Sequence, residues 1–238
     1  EDALRAGRVH AAVHSLKDLP TEDAPGLTIG VIPERADARD AWVCPAGHTL
    51  ATLPEGATVG TSSTRRRAQL LARRPDLNIQ PIRGNVDTRL RKVQEGQYDA
   101  IVLASAGLTR LGLQTHITAY LTFDEMLPAP GQGALAVQCR ADDQATLSLL
   151  RPLEHAPTRQ AVIAERAFLE ALGGGCSLPV GAYATLTGDT LTLRGVIAAP
   201  DGSQHLTLTG QGTDPVQLGQ SLAAQALAQG AANIVTLN

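Results

Sequence analysis

Short apolar runs alternate with polar or amphipathic stretches along the first part of the chain, and this alternation predicts its elements. Residues 9–13 form an apolar run that reads as a buried strand, and Pro20 stops any continuation of helix or ladder beyond it. Residues 27–31 and 41–44 are further strand-like runs, separated by a polar crossover at 33–37. Thr58-Val59-Gly60 then leads through Thr61-Ser62-Ser63-Thr64 into a helical pattern over 65–74 that Pro75 stops, giving a strand, a hydroxyl-rich N-cap and a helix. The unit repeats with a strand over 78–82, a tight Arg83-Gly84-Asn85 loop and an amphipathic helix over 86–94. A third strand over 99–104 is followed by a loop and short helix start at 105–112. Strands alternating with helices predict βαβ units and a mainly parallel sheet.

Pro128-Ala129-Pro130-Gly131-Gln132-Gly133-Ala134 interrupts this pattern before another strand-like run over 135–139. Together with the crossover near Pro33 it suggests two lobes joined by two strands that act as a hinge. From Pro157 the character changes. A helix over 158–172 carries Ala161, Ile163, Ala164, Ala167, Phe168 and Leu172 at helical spacing and is closed by three glycines. Antiparallel strands over 181–186, 190–198 and 204–210 follow, joined by Gly188-Asp189 and Pro200-Asp201-Gly202 turns, then a helix over 216–229 and a last strand over 234–236. The expected division is a first lobe from 1–33 and 128–153, an arginine-rich lobe over 34–127 and a small α+β domain over 154–238.

Bulk composition narrows the function classes. A chain of 238 residues with 43% hydrophobic content can build more than one domain core. Its net charge of −3 argues against a generally basic nucleic-acid binder or a membrane-surface protein. With no apolar stretch of spanning length and no signal peptide, a soluble cytoplasmic protein is expected. The chain starts at Glu1 in what reads as the end of a helix, so an N-terminal portion is expected to be missing and the first lobe incomplete. Cys44, Cys139 and Cys176 are odd in number and far apart, which fits reduced thiols and no zinc or other metal site. Cys44 and Cys139 lie in apolar runs and read as buried structural thiols. Cys176 lies between glycines and a proline in an exposed-looking loop, either as a chance loop cysteine or as an attachment or nucleophilic thiol.

Candidate chemistry gathers at two places. At the end of the first strand, His14, Ser15, Lys17 and Asp18 offer a base, a hydroxyl, a cation and a carboxylate, where a bland reading is a solvated strand exit. Between residues 65 and 92, nine basic residues face only Asp76 and Asp87. Arg65 and Arg66 stand in the first turn of a helix, where each cation is locally unfavourable by about 0.3–1 kcal/mol, so something negative is expected to be bound there. Arg83, Arg89 and Arg110 also sit near strand-to-helix junctions, whereas Arg67, Arg73, Arg74 and Arg91 fall deeper in helices and read equally as a solvated face. Arginine forks suit carboxylates and phosphates, so the cleft is expected to hold a ligand with several acidic groups. Nucleic acid is the rival polyanion, but only Tyr98 offers a stacking ring near the stretch.

Six motifs, in order, resemble the porphobilinogen deaminase (hydroxymethylbilane synthase) family. They are His14-Ser15-Leu16-Lys17-Asp18-Leu19-Pro20, Gly60-Thr61-Ser62-Ser63-Thr64-Arg65-Arg66 and Arg83-Gly84-Asn85-Val86-Asp87-Thr88-Arg89-Leu90. Ala106-Gly107-Leu108-Thr109-Arg110-Leu111-Gly112, Leu127-Pro128-Ala129-Pro130-Gly131-Gln132-Gly133-Ala134 and Gly174-Gly175-Cys176-Ser177-Leu178-Pro179-Val180-Gly181 complete the set. The resemblance implies an α/β fold of two periplasmic-binding-protein-like lobes and a small C-terminal α+β domain. It implies a transferase that joins four porphobilinogen molecules head to tail into hydroxymethylbilane, releasing ammonia, on a covalent dipyrromethane cofactor. By the same resemblance Cys176 is the thioether attachment point and Asp18 the catalytic carboxylate. Ser15, Lys17, Thr61, Ser63, Arg65, Arg66, Arg89 and Arg110 would bind the cofactor, and Arg83, Arg89 and Arg110 the substrate. The expected protein is a monomer with porphobilinogen as its small-molecule partner. A non-catalytic two-lobed module for an organic polyanion, or an inactive fragment of the enzyme, are the competing readings.

Overall fold

A computed structural model of the chain describes residues 1–22, 24–174 and 178–235. In chain order the elements begin with α1 (Asp2–Arg5), β1 (Ala11–Ser15), a 3₁₀ turn (Leu16–Asp18), β2 (Leu27–Val31), β3 (Asp40–Val43) and β4 (Thr58–Gly60). Next come α2 (Thr64–Arg73), β5 (Asn78–Gln80), α3 (Val86–Gln94), β6 (Ala100–Ala104), α4 (Ser105–Arg110), β7 (Ala119–Tyr120), β8 (Leu135–Arg140) and α5 (Gln144–Leu150). The last part holds α6 (Ala156–Ala171), β9 (Val180–Thr187), β10 (Thr190–Ala198), β11 (His205–Gly212), α7 (Pro215–Ala228) and α8 (Ala231–Val235). Helix starts follow the capping chemistry of the sequence. Ser63 caps α2 by accepting from Arg66 N at 3.4 Å, and Asn85 caps α3 by accepting from Thr88 N at 2.9 Å.

Three sheets carry the fold. The first lobe is built on β1-β8-β2, the second on β5-β4-β6-β3-β7, and the C-terminal domain on β11-β10-β9. In the second lobe β4 runs parallel to β5 and β6, as the βαβ pattern predicts, but β3 runs antiparallel to both β6 and β7. The first-lobe sheet is antiparallel throughout. The expectation of a mainly parallel arrangement therefore holds only for the helix-linked strands. β3 and β8 each enter from the other lobe along an irregular connection, with no crossover helix to impose direction.

Three further expectations are corrected. Residues 9–13 are not a buried strand: β1 is an edge strand, and Val13 and Val9 are 66% and 40% exposed. Alternation along β1 turns Val13 toward an uncovered face while its neighbours turn the other way. The two lobe connections, 32–39 and 127–134, are irregular segments and not strands, because Pro33, Pro128 and Pro130 cannot donate to a ladder. They still run side by side, with Ala36 N donating to Gly133 O at 3.2 Å. Gly133 has φ 86°, and a Cβ there would lie 2.6 Å from Ala36 O, so only glycine permits this approach. Finally, the run at 234–235 is not strand but part of α8. Gly230, at φ 89°, turns the chain after α7, and the new helix places Ile234 in the core of the C-terminal domain without needing a sheet edge. Thr236 lies outside the described residues.

That domain packs α6 and α7 over its meander, with Phe168, Leu191, Leu193, Leu222 and Ala223 in one cluster. It also grips the rest of the molecule. Ala182 N donates to Pro128 O at 2.9 Å, and Arg194 pairs with Asp124 at 2.7 Å. On the first lobe, Arg166 donates to Leu16 O and Leu19 O at 3.4 and 3.2 Å. The strongest tie is Glu165 of α6, which is wholly buried. Its carboxylate accepts a bidentate pair from Arg35 at 2.6 and 3.0 Å, Gly131 N at 2.7 Å and Ala184 N at 2.8 Å. One side chain thus joins both hinge segments to β9. Glu165→Ala would strand a buried guanidinium and two backbone N–H groups, and is expected to lower stability by about 3–5 kcal/mol in urea unfolding. A loss below about 1 kcal/mol contradicts this clamp.

Candidate active site

The sequence directs two sets of polar residues to one cleft. After β1, Leu16 is fully buried and its N–H bonds Ala134 O at 3.0 Å, which pins the 3₁₀ turn and leaves Asp18 exposed at its end. Facing it, β4 ends and the Ser63 cap starts α2, placing Arg65 and Arg66 in the first turn. Lys17, Asp18, Ser63, Arg65, Arg66 and Gln132 line a cavity of about 260 Å³. Leu169 and Leu178 of the C-terminal domain close another side.

The negative group expected at the start of α2 is in part internal. Asp40, wholly buried at the start of β3, accepts from Arg65 Nη1 at 2.7 Å and from Arg66 Nε and Nη2 at 3.1 and 2.7 Å. Arg65 Nη1 also donates to Leu127 O at 2.7 Å, and Arg66 Nη1 to Val102 O at 3.0 Å. Burial alone would push the Asp40 carboxyl up, but the two guanidiniums outweigh it and hold it well below the usual carboxylate range. Burial pulls Arg65 down, opposed by Asp40. Sequence reasoning passed over Asp40 although a signal was present. A carboxylate opening an apolar strand run has to be paired once buried.

One carboxylate does not neutralise the cluster. Lys17 adds a third cation, with Nζ donating to Gln132 Oε1 at 3.4 Å. Its pKa falls from 10.5 to about 8, first through burial and then through repulsion from Arg66 and Arg65, with Asp40 and Asp18 pulling the other way. Arg65 Nε is buried with no hydrogen-bond partner among the described residues. Surplus positive charge and an unmet donor beside a cavity suit a ligand with several carboxylates, the character of a dipyrromethane bearing acid side chains.

The remaining candidates fall around this centre. Thr61 is buried, and its hydroxyl accepts from Ser63 N at 3.2 Å, shaping the cap loop. Arg89 is half-buried on α3, donates to Gly84 O at 2.8 Å, and is pulled down by burial and by Arg66. Arg110 is corrected in place. It is the last residue of α4 and not at a strand-to-helix junction, yet its Nη2 reaches Gly133 O at 3.1 Å. Ser15 ends β1, and Arg83 is exposed beside Gly84. Arg73 and Arg74 are not a free basic face: Arg73 donates to Glu125 O at 2.8 Å, and Arg74 pairs with Asp76 at 2.6 Å. Cys44 and Cys139 are buried, as expected of structural thiols, while Cys176 lies outside the described residues. Gln132 and Arg35 of the hinge segments and Glu165 of α6 were missed because nothing in local sequence marks a residue as a hydrogen-bond hub between distant segments.

The lowered pKa of Lys17 gives a pH-dependent test of polycarboxylate binding at this cavity. Its folded value lies below the ordinary 10.5, so the charged ammonium costs stability below pH 8, and that cost fades as pH rises from 8 to 10.5. A carboxylate bound beside it restores the charged form. Binding of a polycarboxylate near pH 8.5 is therefore expected to take up a fraction of a proton, seen by calorimetry as an enthalpy that depends on the buffer. Lys17→Met should abolish the uptake, and buffer-independent enthalpies in the native protein contradict the assignment.

The family and sequence comparisons with known proteins identify the family. Residues 1–148 match the family described as "Porphobilinogen deaminase, dipyromethane cofactor binding domain", and residues 159–228 match "Porphobilinogen deaminase, C-terminal domain". The chain is 56% identical to the porphobilinogen deaminase of a Roseiflexus species over 97% of its length and 76% of that protein's. It is 53% identical to that of Brevibacillus brevis over 99% of its length and 76% of that protein's. Among solved structures, a YaeC-family lipoprotein from Enterococcus faecalis aligns with a TM-score of 0.41 at 17% identity, covering 64% of this chain and 73% of that one. The two domain matches and the identity over nearly the full length establish that this chain belongs to the porphobilinogen deaminase family.

Proposed function

We propose that this chain joins four porphobilinogen molecules head to tail into hydroxymethylbilane, with loss of ammonia, at the cleft between Asp18 and Arg66. The observation that carries the residue assignment is the cleft itself, where Lys17, Arg65 and Arg66 surround a cavity edged by the exposed carboxylate of Asp18. Arg65 and Arg66, held by Asp40, present their remaining N–H groups to acetate and propionate side chains, and Lys17 and Ser63 complete that surface. Thr61 orders the cap loop, and Ser15 supports the strand end that presents Lys17. Arg83, Arg89 and Arg110, flanking the centre, receive carboxylates of the incoming substrate and the growing chain. Asp18 accepts pyrrole N–H groups and stabilises positive charge as it develops on the ring, a role suited to a carboxylate fixed before the reaction begins. Cys176 is the thioether attachment point. The dipyrromethane cofactor supplies the nucleophilic ring carbon on which the first substrate is added.

The same reading divides the chain into 1–33 with 128–153, 34–127 and 154–238, supported by the three sheets and the paired hinge segments. It takes the protein as a cytoplasmic monomer with neither nucleic acid nor membrane as partner, and the net charge of −3 supports the last two points.

Two measurements test the assignment. Purified from a host that makes porphobilinogen, the native chain should carry the mass of a covalent dipyrrole, and Cys176→Ala should not. Asp18→Asn should retain that mass while losing turnover by about 10²–10³-fold. A bare native chain, or near-native turnover in Asp18→Asn, contradicts the roles given to these residues.

A further inference from the structure

The two walls of the cleft come from different lobes, and one buried side chain bonds to both. Gln132, in the second hinge segment, is wholly buried. Its Nε2 donates to Ala38 O at 2.8 Å and to Asp40 Oδ1 at 2.9 Å, while its Oε1 accepts from Lys17 Nζ at 3.4 Å. The partners fix which way the amide points. Reversed, its NH₂ would face an ammonium and its oxygen would face a carboxylate and a carbonyl. The backbone is held as firmly, with Gln132 N bonded to Ala129 O at 2.9 Å and Gln132 O accepting from Arg35 Nε at 2.7 Å. Arg35 is in turn locked by Glu165. Gln132 cannot follow Lys17; Lys17 must come to it.

We propose that Gln132 is a positioning residue for the cleft, a fixed amide that aims the Lys17 ammonium at the carboxylate site and couples it to Asp40 on the opposite wall. This rests on the reading of Lys17 as a ligand-binding cation. An amide fits the task better than an acid. A glutamate here would repel Asp40 and consume the charge of Lys17, whereas a neutral acceptor holds the ammonium and leaves its charge for the ligand. The long contact also leaves the ammonium with donors to spare. The charged groups acting on Lys17 are Asp18 on its own segment, Asp40 on β3, and Arg65 and Arg66 on α2. Each acts on the ammonium through charge, and the amide adds a directed acceptor.

Two lysines, Lys17 and Lys92, are present in the whole chain, so ¹³C reductive methylation labels these two and the N-terminal amine, with Lys92 as an internal reference for Lys17. In the cofactor-loaded protein the Lys17 titration midpoint is expected to fall in Gln132→Met, which removes the acceptor, and to rise in Gln132→Glu, which adds a charge. Opposite shifts from one position are not produced by loosened packing. Alongside, KM for porphobilinogen in Gln132→Met should stay within about twofold of native at pH 7 and rise about tenfold by pH 9, with kcat little changed. Identical Lys17 midpoints in the native protein and both variants, or an equal rise in KM at both pH values, would overturn the inference. If Lys17→Met leaves KM unchanged at every pH, it is the ligand role of Lys17 that falls. If Lys17→Met raises KM while both Gln132 variants behave as native, only the role of Gln132 falls.

Discussion

The cleft depends on the buried carboxylate of Asp40. Arginines in the first turn of a helix oppose its dipole, and burying them adds a desolvation cost. Asp40 offsets both by holding Arg65 and Arg66 at once, with a further amide hydrogen bond from Gln132. It neutralises one charge of three when Lys17 is counted, so the cluster folds yet stays positive. The role proposed for it, receiving several carboxylates, needs that balance. Full neutralisation would leave nothing for the ligand, and no neutralisation would leave buried like charges to drive the lobes apart.

A second buried carboxylate performs the matching task at the hinge. Glu165 belongs to the C-terminal domain, but its partners are Arg35 of one hinge segment, Gly131 of the other and Ala184 of its own sheet. Between Asp40 and Glu165 runs a continuous hydrogen-bonded line through Gln132 and Arg35. The C-terminal domain is therefore tied mechanically to Asp40 and the arginines it holds. A two-lobed fold normally opens and closes about its hinge. Here the clamp at Glu165 and the contacts of Arg166 and Arg194 on either lobe restrict that freedom.

Much of this was legible in the sequence, and the failures have physical causes. The α2 and α3 starts were readable because capping is local, set by Ser63 and Asn85 within one turn of the residues they serve. The hairpin of β9 and β10 was readable from its Gly188-Asp189 turn for the same reason. Val13 was misjudged because hydrophobicity says nothing of whether a covering face exists, and the 234–235 run because a short β-branched stretch packs equally well from a helix. In the site, Lys17, Asp18, Ser63, Arg65 and Arg66 line one cavity because strand ends and a helix start deliver them there, and such junctions are visible in the sequence. Asp40 and Gln132 escaped notice because their roles come from contacts across as many as 115 positions of sequence, which no local pattern encodes.

The account's central claim is that this cleft does chemistry on porphobilinogen and does not merely bind an organic polyanion. The most direct test is to supply the cofactor-loaded protein with porphobilinogen and follow ammonia and pyrrole products together. The account predicts ammonia released in step with substrate consumed and a linear tetrapyrrole leaving the protein. Saturable binding of porphobilinogen with neither ammonia nor tetrapyrrole formed would contradict it.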